Sequence, residues 1–193
     1  MSKSKILRED VSYEGETFQI VKRAIEFRGK TIELEIAKRS PGVRLIIVKN
    51  DKILLIREYR FELEDYDYRL PGGKVFDRLS DYKEALKNDV DIINAAMEAA
   101  KKECIEETGI IAKKINYFGM ANSGQTVIWD LFYFIVEDFE ETGKQDLGIG
   151  EEIYIEWKSF EEIQQLCIEN KIKEYRTVGE LLRFILLEKN KKV

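Results

Sequence analysis

Alternating hydrophobic and polar residues in the first forty positions predict a β-hairpin. The stretches TFQIVKRAIEF (17–27) and TIELEIA (31–37) are candidate strands, and the second places Ile32, Leu34 and Ile36 on one face. A short RGK segment with a central glycine joins them and has the composition of a turn. A Ser-Pro-Gly sequence then ends the pattern.

A short continuous apolar run follows, VRLIIV (43–48), which is the pattern of a strand covered on both faces. An Asn-Asp turn separates it from KILLIREYR (52–60), which is predicted to be the returning strand. A polar segment, ELEDYDY (62–68), is predicted to be a loop. Later apolar stretches predict three further strands: INYFGMA (115–121), VIWDLFYFIVED (127–138) and IYIEW (153–157).

From residue 92 to residue 107 the apolar positions take the period of a helix. The expected buried stripe consists of Ile93, Met97, Ala100 and Cys104. Gly109 follows, where helices commonly end. Two more helices are predicted to begin at Ser159 and Thr177, because each is followed three residues later by a glutamate that completes a capping box. This order of elements indicates an α+β or α/β sandwich with mixed strand directions.

The composition and the net charge of the chain limit the partners and the catalytic groups that it can have. The 193 residues carry 32 basic and 37 acidic side chains, a net charge of −5, so we expect neither nucleic acid nor an anionic membrane as partner. No stretch approaches the ~18 apolar residues of a membrane span, and MSKSKILRED lacks the apolar run of a signal peptide, so a cytoplasmic protein is expected. The absence of histidine excludes histidine triads and histidine-rich metal sites. Cys104 and Cys167 are expected to be buried free thiols.

Three glutamates stand close together near the end of the first predicted helix. At ~100° per residue, Glu103, Glu106 and Glu107 fall on one flank, beside the buried stripe. Like charges at this spacing repel each other. A solvated acidic face is one interpretation. The other is a site for magnesium or manganese, because the upstream LPGG segment can bring a backbone carbonyl to the carboxylates and complete an all-oxygen ligand set.

The glycine loop and this helix together resemble the signature of the Nudix hydrolases, whose second half reads REUxEExGU with U a bulky apolar residue. Gly73 matches the first glycine of the signature, and the second half is matched by Glu103, Cys104, Glu106, Glu107, Gly109 and Ile110. The resemblance implies an α+β fold, an α/β/α sandwich around a mixed sheet. It also implies hydrolysis of a nucleoside diphosphate linked to another moiety. Mg²⁺ (or Mn²⁺) would be held by Glu103, Glu107, the carbonyl of Gly72 and, additionally, Glu106.

The chain departs from the signature in three places. The segment between Gly73 and Lys102 is about 15 residues longer than in the signature, which predicts an inserted loop at about 77–92. Lys102 replaces the arginine and cannot make its bidentate contact with a carboxylate. Asn94 stands in place of the first glutamate of the signature.

An N-terminal hairpin, IREYR before the signature and a last helix resemble the ADP-ribose and nucleotide-sugar pyrophosphatases among these enzymes. That resemblance implies a homodimer formed through a strand extension at 1–40, ahead of a Nudix domain at 41–193. It also implies a substrate contact by Arg60, with Ser123 at the place where the ADP-ribose enzymes have a proline. Arg60 fits a surface ion pair with nearby acidic residues as well, and Arg57 and Arg69 are weaker candidates for a phosphate or ribose contact.

Several roles leave alternatives open. Glu106 and Glu107 are expected to act in catalysis through the metal, and Glu151 or Glu152 to act as the base, although both also fit a charged strand entry. The aromatic residues of 59–68 fit either base stacking or packing. The expected partner is a small nucleoside diphosphate derivative such as ADP-ribose or a nucleotide sugar. The alternative is a non-catalytic Nudix domain that binds a nucleotide without cleaving it. Both tryptophans, Trp129 and Trp157, are interpreted as core residues.

Overall fold

A computed structural model describes residues 4–148 and 150–191, so the predicted domain limits at residues 1 and 193 lie outside the described residues. The strands are β1 (Lys5–Glu14), β2 (Phe18–Phe27), β3 (Lys30–Arg39), β4 (Gly42–Lys49), β5 (Lys52–Arg60), β6 (Asp65–Arg69), β7 (Ile110–Ala121), β8 (Val127–Ile128), β9 (Leu131–Glu141) and β10 (Ile153–Ser159). The helices are α1 (Leu79–Lys87), α2 (Ile92–Thr108), α3 (Phe160–Ile168) and α4 (Tyr175–Lys191).

An N-terminal sheet has the strand order β1-β2-β3-β8. The predicted hairpin is present as β2 and β3, paired in register from Phe18 opposite Arg39 to Phe27 opposite Lys30. Gly29 takes a φ of 74° in the turn, which glycine adopts without strain. Strand β1 was not predicted. All ten of its residues are exposed, so no buried face imposes a period on its sequence.

The central sheet has the order β10-β5-β4-β9-β7, with β6 paired to β5. It is mixed, because β4 runs parallel to β9 and antiparallel to β5. Successive side chains of β4 point to opposite faces. Val43, Leu45 and Ile47 join a core with α2, whereas Ile46 joins a core with α3 and α4. The two covered faces explain the continuous apolar run, and they confirm the α+β sandwich.

Helix α2 carries the acidic cluster. Asp91 caps its first turn by accepting hydrogen bonds from the backbone of Ile93 and Asn94, and Gly109 ends it with a φ of 65°. The buried face consists of Ala96, Ala100, Cys104 and Thr108. Ile93 was predicted to share this face, but it is 44% exposed; in the first turn of the helix it is Ile92 that packs against the core. Cys104 is buried and Cys167 half-buried, and both are free thiols.

Local structure differs from the prediction in several places. The segment expected as a loop at 77–92 contains α1, whose Leu79 N–H donates to the carbonyl of Glu16 at 2.9 Å and so attaches the insertion to the N-terminal sheet. The polar segment at 62–68 contains β6, which gains backbone partners on β5. The capping box at Ser159 is confirmed. The one at Thr177 is wrong, because α4 already begins at Tyr175.

None of the helices in the described part of the chain combines the length and the apolarity needed to cross a bilayer.

Candidate active site

The glycine loop lies against strand β4. The backbone N–H of Val43 donates to the carbonyl of Gly73, and that of Leu45 to the carbonyl of Pro71, both at 2.9 Å. Gly72 has a φ of 141°, and a Cβ at this position would lie 2.2 Å from the carbonyl oxygen of Val43. Only glycine allows the loop to approach the strand this closely.

Two glutamates of α2 reach this loop. Glu107 accepts a hydrogen bond from the backbone N–H of Gly72 at 2.6 Å. The carboxylate of Glu103 lies against Gly73, where a Cβ would be 2.1 Å from its Oε1. Residues four apart lie on the same face of a helix. One turn of α2 therefore brings two carboxylates to two consecutive residues of the loop.

The surroundings of these two carboxylates disfavour their charged form. Burial raises the pKa of Glu107 to about 8, and the nearby charge of Glu103 adds to the effect of burial. Burial, followed by the charge of Glu106, raises the pKa of Glu103 above its ordinary value. Within the described residues neither carboxylate has a lysine or arginine at ion-pair distance. A bound cation would remove this unfavourable charge.

Basic side chains share the same pocket, which has a volume of about 440 Å³. Arg60 forms ion pairs with Glu58 at 2.8 Å and with Glu62 at 2.6 Å. Arg69 lies 3.4 Å from Glu58. The full set of charged residues that line the pocket is Arg39, Arg44, Arg60, Arg69, Lys74, Glu58, Asp77, Glu103, Glu107 and Glu151. Two of them, Lys74 and Asp77, come from the segment that leads into the insertion.

Most of the predicted site residues meet in this pocket. Those that line it are Arg60, Arg69, Gly72, Glu103, Glu107 and Glu151. Glu106 is outside the lining and lies 3.5 Å from the ammonium of Lys102. Ser123 is exposed in the loop between β7 and β8 and does not line the pocket either.

The two candidate bases lie in different surroundings. Glu151 lines the pocket, and its carboxylate accepts a hydrogen bond from the backbone N–H of Gly148 at 2.8 Å. Glu152 lies outside the pocket lining and accepts hydrogen bonds from the hydroxyls of Tyr66 and Tyr154, both at 2.6 Å. These two bonds lower the pKa of Glu152. The structure therefore favours Glu151 as the carboxylate that can reach a ligand in the pocket.

Several residues that line the pocket were not assigned to the site from the sequence, among them Trp129 and Arg44. Trp129 was assigned to the core, but it lines the pocket. Two guanidinium groups lie over its ring, and their central carbons are 4.3 Å (Arg39) and 4.0 Å (Arg176) from the ring centroid. It falls in the break between β8 and β9, which the sequence presents as one strand. Arg44 is the second. Its signal was visible, because it is the one charged residue within the apolar run VRLIIV.

The atoms available as metal ligands at the glycine loop suit a hard divalent cation. They are all oxygen atoms, from the carboxylates of Glu103 and Glu107 and from the carbonyl of Gly72. That carbonyl accepts a hydrogen bond from Arg44 at 2.9 Å, which leaves a second lone pair. No group of three His, Cys, Asp and Glu side chains within residues 4–148 and 150–191 forms a ready metal cage. Magnesium needs no such cage, since it binds through one or two carboxylates, water and substrate phosphates.

Similarity to known proteins agrees with this geometry. The NUDIX domain profile matches residues 38–178. The crystal structure of an ADP compounds hydrolase has the same fold, with a TM-score of 0.70, 19% identity, and coverage of 98% of this chain and 95% of that chain. No curated protein sequence matches significantly. The chain belongs to the Nudix family, which confirms the predicted enzyme class, a pyrophosphohydrolase.

Proposed function

We propose that the protein hydrolyses the diphosphate bond of a nucleoside diphosphate linked to another moiety, such as ADP-ribose or a nucleotide sugar. The products are a nucleoside monophosphate and a phosphorylated remainder. The observation that carries the proposal is the convergence of Glu103 and Glu107 on the glycine loop, in a pocket that arginines also line. Among the described residues these carboxylates have no cation at ion-pair distance, and arginines line the same pocket; this arrangement suits a diphosphate that binds the arginines directly and the carboxylates through a cation.

The cofactor we propose is Mg²⁺, for which Mn²⁺ can substitute. Glu103 and Glu107 would hold it, with Gly72 supplying a carbonyl and Glu106 an outer ligand. Nudix hydrolases generally use divalent cations, which, when bound, neutralise the charge that develops on a diphosphate in the transition state. Glu106 lies outside the pocket lining, but its charge raises the pKa of Glu103. We therefore assign it a secondary role at the metal site.

The remaining residues bind the substrate and prepare the water. Arg60 and Arg69 are held in place by Glu58 and supply guanidinium donors for phosphate oxygens. Glu151 accepts a proton from the attacking water. The oxygen of that water bonds to phosphorus while the bridging P–O bond breaks and the other half of the substrate leaves. Glu152 is less suited to this role because two tyrosine hydroxyls occupy its carboxylate.

The structural neighbour is an ADP compounds hydrolase, which supports an ADP-linked substrate for this protein. The N-terminal sheet supports the proposed homodimer through the extension at 1–40. Its first strand exposes apolar side chains, with Ile6 and Val11 each 55% exposed and Tyr13 60% exposed. A second copy of the chain would cover them. Cytoplasmic location stays a prediction.

The test is turnover of a substrate panel. The protein is incubated with Mg²⁺, and separately with Mn²⁺, and with ADP-ribose, GDP-mannose, UDP-glucose, NADH, dinucleoside polyphosphates and oxidised dNTPs, and the products are separated by chromatography. We expect cleavage of at least one nucleoside diphosphate derivative into a monophosphate and a phosphorylated remainder. Binding of a panel member without turnover under either metal would favour the non-catalytic nucleotide-binding alternative.

A further inference from the structure

Arg44 carries a charge in an apolar part of the fold. It lies in the middle of β4, where it is 6% exposed, and its neighbours Val43 and Leu45 are fully buried. It points to the same face of the sheet as Ile46, toward α4. A buried guanidinium is costly unless its charge and its N–H groups are satisfied. The partners of Arg44 therefore indicate what the residue does.

Those partners leave the guanidinium incompletely satisfied. Its Nη1 donates to the carbonyls of Val43 and Gly72, both at 2.9 Å. Its Nε has no hydrogen-bond partner, and it is the only such buried side-chain atom in the described part of the chain. The nearest carboxylate is that of Glu174, at 3.8 Å. Glu174 already accepts hydrogen bonds from Arg176 at 2.7 Å and from Thr177 at 2.8 Å.

The charge of Arg44 also acts on the other arginines of the pocket. Arg44 lines the pocket together with Arg39, Arg69 and the carboxylates of Glu103 and Glu107. Its charge adds to the effect of burial in lowering the pKa values of Arg39 and Arg69, because like charges disfavour each other. Three neighbouring guanidinium groups are thus in electrostatic repulsion. An anion in the pocket would relieve it.

We propose that Arg44 binds a non-bridging phosphoryl oxygen of the substrate's diphosphate, so that the diphosphate lies between this arginine and the carboxylates of α2. The identity of the ligand rests on the proposed function; the anion site itself does not. Arg44 then has two tasks, since it also holds the carbonyl of Gly72 in the loop. A purely structural arginine would have only the second.

Binding of inorganic pyrophosphate to metal-free protein separates these roles, because it requires neither turnover nor a cation. Isothermal titration in the presence of a chelator compares the wild type with R44Q, R44K, E174Q and R57Q. We expect R44Q to weaken pyrophosphate binding about ten- to hundredfold, as loss of a charge-assisted hydrogen bond does. R44K should fall between R44Q and the wild type, because lysine keeps the charge and loses the forked geometry.

Two further variants make the result decisive. R57Q removes an arginine of β5 that does not line the pocket and serves as the matched control, with an expected change below about twofold. E174Q removes the neighbouring negative charge and should tighten pyrophosphate binding a few-fold. The measurement on E174Q tests the proposal even if R44Q does not fold. Wild-type affinity in R44Q, equal losses in R44Q and R57Q, or unchanged or weaker binding in E174Q would overturn the proposal.

The substrate panel keeps the two proposals apart. If no panel member is cleaved but pyrophosphate binding follows the expected pattern, the anion site stands and the proposed reaction fails. If a substrate is cleaved and R44Q leaves its KM unchanged, the reaction stands and the role of Arg44 in binding fails.

Discussion

Two groups of glutamates in this molecule have opposite electrostatics. Glu9 on the N-terminal sheet accepts hydrogen bonds from Lys38 and from Arg23, and these contacts lower its pKa. In the described part of the chain, Glu107 on α2 accepts one backbone hydrogen bond and has no cation at ion-pair distance, and burial raises its pKa to about 8. The same side chain is therefore stabilised as a carboxylate in one place and disfavoured as a carboxylate in the other.

The difference separates structural charge from functional charge. A paired surface carboxylate contributes a little to stability and nothing further is needed to explain it. A carboxylate removed from water without a cation makes the unliganded protein less stable, and such groups concentrate at sites of binding and catalysis. We propose that Glu103 and Glu107 are of the second kind, and substitutions that exchange a carboxylate for its amide distinguish the two kinds directly.

The largest effect is expected for Glu107→Gln. We expect kcat/KM for the best substrate of the panel to fall about a thousandfold or more, because the amide cannot hold a divalent cation at the place where the diphosphate reacts. Circular dichroism should show the wild-type fold, since glutamine keeps the volume and can still accept from Gly72. Glu9→Gln is the matched control with near wild-type turnover. Full activity of Glu107→Gln would remove the residue from the proposed ligand set.

A smaller effect is expected for the base, and adjacent residues provide the test. Glu151→Gln should lower kcat about a hundredfold, as loss of a general base does. Glu152→Gln should change kcat less than threefold or so, because its carboxylate is outside the pocket lining and hydrogen-bonded to two tyrosines. Steady-state rates at saturating metal measure both variants. The reverse ranking would transfer the role of base to Glu152.

Where one face of an element is buried, the sequence was sufficient to predict it. Strands β4 and β5 and helix α2 follow from their apolar positions because each packs against a core. Strand β1 and helix α1 escaped prediction because β1 is exposed throughout and α1 buries only Leu79 and Ala85. Elements with a buried face show a hydrophobic period in their sequence, whereas elements held mainly by backbone pairing or by a neighbouring sheet do not.

The site was predictable in part for the same reason. The spacing of Glu103 and Glu107 on one helix places both carboxylates on one flank, so their convergence could be inferred. The distinction between Glu151 and Glu152 could not, because it depends on which side of a loop faces the pocket. Nor could the role of Trp129, which depends on a break between two strands that the apolar pattern joins.

The pH dependence of stability should also separate the two kinds of carboxylate. The folded pKa of Glu107, about 8, exceeds its ordinary value of 4.5. Its protonated form therefore favours the folded state below pH 4.5, and that contribution is lost as pH rises toward about 8. In metal-free protein we expect the free energy of unfolding to decline by roughly 2–4 kcal/mol across this range from this residue. Denaturant titrations in chelator measure it.

The controls for this experiment are the amide variant and the cation. Glu107→Gln has no charge to gain at this position, so its stability should decline less with pH and should exceed that of the wild type at pH values near 8. Millimolar Mg²⁺ should restore stability to the wild type and do much less for the variant, because a ligand stabilises only the state that binds it. Parallel curves for the two proteins would contradict the assignment of the raised pKa to Glu107.

The smallest effect is expected for Glu9→Gln, with the opposite dependence on pH. Because its folded pKa lies below the ordinary value of 4.5, Glu9 stabilises the protein above that pH and loses its contribution as pH falls through the lowered pKa. The substitution should lower the free energy of unfolding at pH 7 by about 0.5–1 kcal/mol, the range of partly exposed ion pairs, and 0.5 M salt should reduce the difference. Denaturant titration at pH 7 and pH 4 measures it. A destabilisation that persists unchanged at low pH and high salt would mean that Glu9 acts through packing, and the electrostatic contrast with Glu107 would then rest on α2 alone.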